Sequence, residues 1–184
     1  MIAEALSTVG VYGPSDIEFF KTEVRFREFE RGELILQAGK VASEVYYICS
    51  GAVYQYRIVD EIEEMVLDLA TAGRWILDQK SFILQQAAET HIKAYQKCQI
   101  LVLSITSIHK LIGLSPSFFH LLKLVDGGSQ RTTFYDRSLS PLEKYATLIR
   151  ENPAVLKHFP LKMIASYLKV TPETLSRVRK KADY

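Results

Sequence analysis

The pattern of the chain changes at Ile105. Residues 24–104 are short runs of β-branched, aromatic and aliphatic side chains, divided by glycine or charged turns. From Ile105 onward the apolar residues are spaced for helices. A chain divided in this way builds a sheet structure first and sets helices behind it. The strand-like runs fall at 24–29, 33–37, 45–49, 52–58, 65–69, 91–95 and 99–103. Ser50-Gly51 sits where a hairpin turn is needed, and residues 60–64 form a charged loop. Many short strands at this spacing imply a roll or sandwich of the jelly-roll kind, hence an α+β chain with an N-terminal β-roll. Two stretches interrupt or precede the strands. Residues 78–90 have helical character, with Phe82, Ile83 and Ala87 spaced for one face. Ser15-Asp16-Ile17-Glu18 fits a capping box opening a short helix.

Behind the roll, residues 105–114 read as one helix. Ser115-Pro116 starts another, with Ser as cap and Pro at the first helical position, running to about residue 138. Along it Phe118, Leu121, Val125, Gly128, Thr132, Tyr135 and Leu139 alternate in steps of three and four, a heptad seam suited to a homodimer. Gly127 and Gly128 lie inside this helix, where each costs about 1 kcal/mol against Ala. Ser140-Pro141-Leu142-Glu143 is a second capping box. Its helix ends near Asn152-Pro153, because a residue before proline avoids the α region. The expected division is 1–114 as sensor roll with flanking helices, 115–139 as dimerisation helix and hinge, and 140–184 as an all-α unit.

That last unit carries the clearest chemistry. Between residues 164 and 178, Ile164, Leu168, Val170, Leu175 and Val178 supply apolar positions for two helices meeting steeply, and Ala165 supplies the small residue at their crossing. Thr171 can cap the second helix and Pro172 suits its first position. At about 100° per residue, Glu173, Ser176, Arg177 and Lys180 share one face while Leu175, Val178 and Ala182 lie opposite. Arginine suits guanine edges, glutamate the cytosine amino group, and lysine phosphate. Thr171, Glu173, Ser176, Arg177, Lys180 and Lys181 are therefore the candidate DNA-binding residues of a helix-turn-helix. Charge agrees: residues 1–140 hold 14 Lys/Arg and 17 Asp/Glu, whereas residues 141–184 hold 9 Lys/Arg and 4 Asp/Glu. A basic unit behind an acidic body suits a polyanion, although a solvated basic tail has the same charge.

Composition excludes several other classes. With 48% apolar and 24% charged residues the chain is globular. Cys49 and Cys98 lie far apart without a CxxC, the pattern of buried free thiols in a reducing cytosol. The start lacks a basic n-region and no apolar run is long enough to span a bilayer, so a cytoplasmic protein is expected. His91, His109, His120 and His158 are scattered, so no metal is expected. No GxSxG, P-loop or dinucleotide fingerprint occurs, and no catalysis is expected.

The run from Phe159 through Leu168, continued by Thr171 to Lys181, resembles the end of Crp/Fnr-type transcription regulators, and most of all the short form found in Bacteroidetes-like bacteria. Phe29, Arg31-Gly32-Glu33, Gly39, Tyr47-Ile48 and Gly51 resemble the glycine-punctuated start of a cyclic-nucleotide-binding domain. The resemblance covers about residues 15–182. It implies a sensor roll, a dimer helix and a DNA-reading unit, with double-stranded DNA, a second copy and RNA polymerase as partners. The ligand position would lie at Leu77, Asp78, Gln79, Lys80, Ser81 and Ala88. There the chain departs from the family. Leu77-Asp78 stands where nucleotide-binding members have Gly-Glu, and Ala88 stands where an arginine forks onto the phosphate. Binding of cyclic AMP is therefore not expected, no cofactor is certain, and any effector is an unidentified small molecule. Lys169 replaces the usual glycine of the turn, and Pro172 replaces an arginine of the recognition helix, while Glu173 and Arg177 match its reading pair. No full β-wing is expected after Lys181. The alternative is a small-molecule-binding module that acts through protein contacts rather than DNA.

Overall fold

The computed structural model describes residues 1–60, 62–126 and 139–182. Two four-stranded antiparallel sheets face each other. One has the order β1 (Arg25–Phe29), β8 (Cys98–Ser104), β3 (Glu44–Ser50), β6 (Trp75–Ile76); the other runs β2 (Leu34–Leu36), β7 (His91–Ala94), β4 (Ala52–Val59), β5 (Glu63–Thr71). The β3–β4 turn requires glycine. Gly51 has φ +88°, and a Cβ there would stand 2.4 Å from the Lys97 carbonyl oxygen.

Alternate side chains fill the space between the sheets: Phe29, Ile48, Val53, Ile92, Ile100 and Val102 are all buried in one cluster. The outer faces are covered as well. On the first sheet Tyr47 and Leu101 pack under Ala5 of α1 (Ile2–Ser7), and the Trp75 indole N–H donates to the Ala5 carbonyl at 3.3 Å and the Thr8 hydroxyl at 2.9 Å. On the second sheet Tyr54, Tyr56, Val66 and Leu69 form one core with the C-terminal helices. Sheets buried on both faces need near-continuous apolar strands, and β3 and β4 are written that way.

Several sequence expectations shift. The first full helix, α2 (Pro14–Glu23), begins one residue before Ser15. Gly13 is its cap, and the Gly13 N–H donates to the Asp16 carboxylate at 3.0 Å, so Asp16 rather than Glu18 makes the back-bond. Of the stretch 78–90 only α3 (Gln79–Leu84) is helical. Gln85 turns left-handed at φ 50°, after which Ala87 bridges to Val41 and the Ala88 N–H donates to the Lys40 carbonyl. Phe82 is thereby buried while Ile83 is 54% exposed, so the two do not share a face.

After α4 (Ile105–Leu114), capped by Ser104, the expected long helix opens as a 3-10 helix at Pro116–Leu122, followed by α5 (Lys123–Asp126). In a 3-10 helix residues i and i+3 eclipse. Phe118 and Leu121 therefore point together into the chain's own core, at 0% and 1% exposure, while Phe119 and Leu122 point outward at 56% and 48%. Gly127, Gly128, Thr132 and Tyr135 lie outside the described residues. The C-terminal helices are α6 (Pro141–Glu151), α7 (Val155–His158), α8 (Leu161–Leu168) and α9 (Pro172–Ala182). The Ser140–Glu143 capping box is present in both directions, at 2.7 and 3.3 Å, and Asn152 ends α6.

Candidate nucleic-acid interface

Helices α8 and α9 meet over Ile164, Ala165, Leu168 and Leu175, all buried to 1% exposure or less, with Val178 at the margin. The small Ala165 lets the helices approach. The chain turns between them at Lys169, which is left-handed (φ 58°, ψ 46°) and closes α8, with the Val170 N–H donating back to the Ala165 carbonyl at 3.0 Å. Thr171 then caps α9: its hydroxyl accepts from the Thr174 N–H at 3.2 Å. This is helix-turn-helix geometry.

On α9 the outward face carries Glu173, Arg177, Lys180 and Lys181, all exposed, with Ser176 half-buried and Thr171 exposed at the cap. All six candidate residues thus fall on one short segment and open to solvent. Arg179 is exposed too, on a different side of the helix from Arg177. At the start of α8, Lys162 is also exposed. The sequence reading passed over it because it lies outside the recognition helix.

The unit is not isolated. Its apolar underside packs on the outer face of the second sheet, Tyr54 and Tyr56 stacking at 5.1 Å between ring centres and Tyr95 resting on Phe159 at 5.0 Å. Polar side chains tie the two together. Ser166 accepts from the Val66 N–H at 3.0 Å, and the Lys169 ammonium donates to the Val66 carbonyl at 2.9 Å. Thr71 donates to the Asn152 side-chain oxygen at 3.1 Å. Burial, with Arg57 and Lys144 adding repulsion, pushes Lys169 down to about 8. Sequence reasoning missed Ser166 and Asn152. For Lys169 a signal existed: a long cationic side chain at a turn position that glycine occupies more cheaply.

The expected ligand residues are not all inside the roll. Leu77, Asp78, Ser81 and Ala88 are buried, Gln79 is half-buried and Lys80 is exposed. Asp78 caps α3, accepting from the Ser81 N–H at 2.9 Å, and its other oxygen accepts from the Thr90 hydroxyl. The Gln55 amide donates to Thr90 at 2.7 Å, and the Gln55 carbonyl oxygen is buried without a donor. The Ser81 hydroxyl accepts from the Ala42 N–H at 2.8 Å, and Lys80 pairs with Glu89. The Asp78 carboxylate and Gln55 oxygen are acceptors, the Ser81 hydroxyl donates to the Gln86 carbonyl, Lys80 is exposed on Glu89, and the Ala88 side chain has no donor. These residues do not fit a cyclic phosphate.

Cys98 is buried and its thiol is pushed up to about 11 by burial, while Cys49 is half-buried rather than buried. Among the described residues no cluster of three or more His, Cys, Asp or Glu could hold a metal ion, and no helix is long and apolar enough to cross a membrane.

A double-sheet roll backed by C-terminal helices is the architecture, and comparison with known proteins finds the same fold. Residues 26–113 match the family model described as the cyclic nucleotide-binding domain. FixK2 from Bradyrhizobium japonicum superposes with a TM-score of 0.68 at 17% identity, over 87% of this chain and 84% of that one. CLP from Xanthomonas campestris, described as a c-di-GMP responsive global regulator, gives 0.65 at 20% identity over 93% and 92%. The catabolite activator protein of Thermus thermophilus gives 0.58 at 18% over 93% and 84%. No curated protein matches the chain significantly in sequence. Residues 26–113 thus match a cyclic nucleotide-binding-type domain, and the chain shares the fold of these solved Crp/Fnr-type regulators.

Proposed function

We propose that this protein is a dimeric, cytoplasmic DNA-binding transcription regulator whose roll does not take cyclic AMP. The observation that carries the reading is the exposed face of α9: Glu173, Arg177, Lys180 and Lys181 stand in solvent on a helix whose opposite side is locked by Leu175 and Val178. Such a helix fits the major groove, with Arg177 able to bond guanine O6 and N7 together and Lys180 placed for phosphate. The two should fail differently. Arg177→Ala is expected to cost about 1–3 kcal/mol on a selected operator and to relax base preference at one position per half-site. Lys180→Ala is expected to weaken all duplexes alike and lower the salt slope by about one unit. Fluorescence anisotropy on selected and scrambled duplexes over a salt series reads both; equal losses on both duplexes for Arg177→Ala would remove it from base reading.

A second copy is the natural cover for the outward apolar face formed by Ile83, Phe119 and Leu122, beside Val125. Inside the roll, the buried Gln55 oxygen has no donor, so an effector reaching it would bring a hydrogen-bond donor, the reverse of a phosphate.

A further inference from the structure

Strand β5 lies at the edge of its sheet, and an edge strand offers backbone groups that need partners. Here the partners come from the helix-turn-helix itself. At Val66 both backbone groups are taken, the N–H by Ser166 of α8 and the carbonyl by Lys169 of the turn. Further along, the Asn152 side chain reaches the Leu69 carbonyl at 3.4 Å and accepts from Thr71. The contact is backed by a shared core of Tyr54, Tyr56 and Leu69 against Ile164 and Leu168. The left-handed turn residue is a lysine, although glycine is cheapest at positive φ, and its ammonium is spent on the β5 edge.

This docking brings the β4–β5 hairpin beside the DNA-reading unit. One cleft, about 670 Å³, has Asp60, Glu63 and Glu64 on its hairpin side and Lys162, Ser166 and Pro172 on the other. Lys162 opens α8 and Pro172 is the first residue of α9. The helix starts of such a unit are where DNA phosphates arrive. Glu64 accepts from the Tyr54 hydroxyl at 3.1 Å and lies 4.0 Å from the Lys93 ammonium, so Asp60 and Glu63 are the carboxylates left to oppose Lys162 and repel a phosphate backbone at that mouth.

We propose that the β4–β5 hairpin is an intramolecular guard. Clamped to the turn of the helix-turn-helix through Val66, it holds Asp60 and Glu63 where a DNA phosphate would sit, so that the protein binds DNA tightly only when the clamp opens. The proposal rests on the DNA-binding reading above and adds its control.

Two full-length variants separate clamp from charge. Ser166→Ala with Lys169→Gly cuts both bonds to Val66 and keeps the turn, since glycine suits its φ. Asp60→Asn with Glu63→Gln leaves the clamp and removes both guard charges. Hydrogen exchange at the β5 amides and anisotropy with a random-sequence duplex at low salt are measured on each. The clamp variant is expected to exchange at Val66 about tenfold faster than wild type, as loss of two net hydrogen bonds implies. It is also expected to bind the duplex several-fold tighter, even though it has lost a cation. The charge variant is expected to bind tighter with exchange unchanged. A matched control, Glu18→Gln with Glu28→Gln on α2 and β1, is expected to change binding less, because neither carboxylate lines the cleft. Unchanged exchange in the clamp variant would overturn the clamp, and faster exchange without tighter binding would overturn the guard. Failure of wild type and every variant to bind any duplex would overturn the DNA reading and the guard with it. That outcome is distinct from a wild type that binds and variants that bind no better.

Discussion

At the scale of single residues, the interior of the roll is decided by Asp78 and Ala88. Asp78 is 4% exposed, and its oxygens are engaged by the Ser81 N–H and the Thr90 hydroxyl. A cyclic phosphate entering here would bring a second negative charge into a desolvated space with no guanidinium to receive it. The lost charge-assisted pair is worth on the order of 1.5–3 kcal/mol before any repulsion is added. Neither cyclic AMP nor cyclic GMP is therefore expected to bind with micromolar affinity. Titration calorimetry on the full-length protein checks this, and a micromolar isotherm for either nucleotide would refute it. Ala88→Arg alone is not expected to restore binding, because Ala88 is itself buried against the 39–41 segment and an arginine there would have to displace it.

At the scale of elements, the segment after α4 shows how helix type reassigns a surface. A 3.6-residue period would place Phe118, Leu121 and Val125 along one dimer seam. The 3.0-residue period instead sinks Phe118 and Leu121 into the core and turns out Phe119 and Leu122. Burying each of those outward side chains against a second copy would contribute roughly 1.5–3 kcal/mol. Phe119→Glu with Leu122→Glu is accordingly expected to give a folded monomer in sedimentation equilibrium at tens of micromolar, where the wild type is expected to be dimeric. Leu121→Glu places a carboxylate inside the chain's own core and is expected to lose the fold itself, read as loss of the cooperative thermal transition. A wild type that sediments as a monomer would remove the dimer from the reading.

At the scale of the whole molecule, the second sheet of the roll and the C-terminal helices share one apolar core, and Lys169 reports on their contact. Its pKa is lowered to about 8 in the folded protein and returns to the ordinary lysine value when the chain unfolds. Between those two values the unfolded chain holds the extra proton, so this group makes stability rise as pH rises through that window. Below about 8 the cost of a half-buried ammonium is fully present. Lys169→Met lacks the titrating group. Urea unfolding at pH 7.5, 8.5 and 9.5 is therefore expected to show wild-type stability gaining on the variant as pH increases; a constant difference would mean that Lys169 is not desolvated by the docking.

The sequence by itself determined the division at Ile105, seven of the eight strands to within about two residues, the Ser140–Glu143 capping box and the two helices that meet over Ala165. These rest on local chemistry: side-chain period, caps, and the placement of Gly51 and Pro172 depend on neighbours within one or two turns of chain. It also showed that Ala88 cannot clamp a phosphate, because a missing functional group is visible without coordinates. Tertiary structure decided the rest. The short α1 and the two-residue β6 carry too little pattern to be read alone and exist because Trp75 and Tyr47 pack with Ala5. Tyr54 and Tyr56 look like any strand residues until the helices of residues 141–182 cover them. Which apolar side chains after Ser115 face inward depended on whether the helix closed at three or four residues, a choice set by the packing of Phe118 and Leu121 against the roll. The meaning of Lys169 is likewise non-local: its partner, Val66, lies 103 residues away. Contacts at such separation are set by how whole faces meet, and no period in the sequence encodes them.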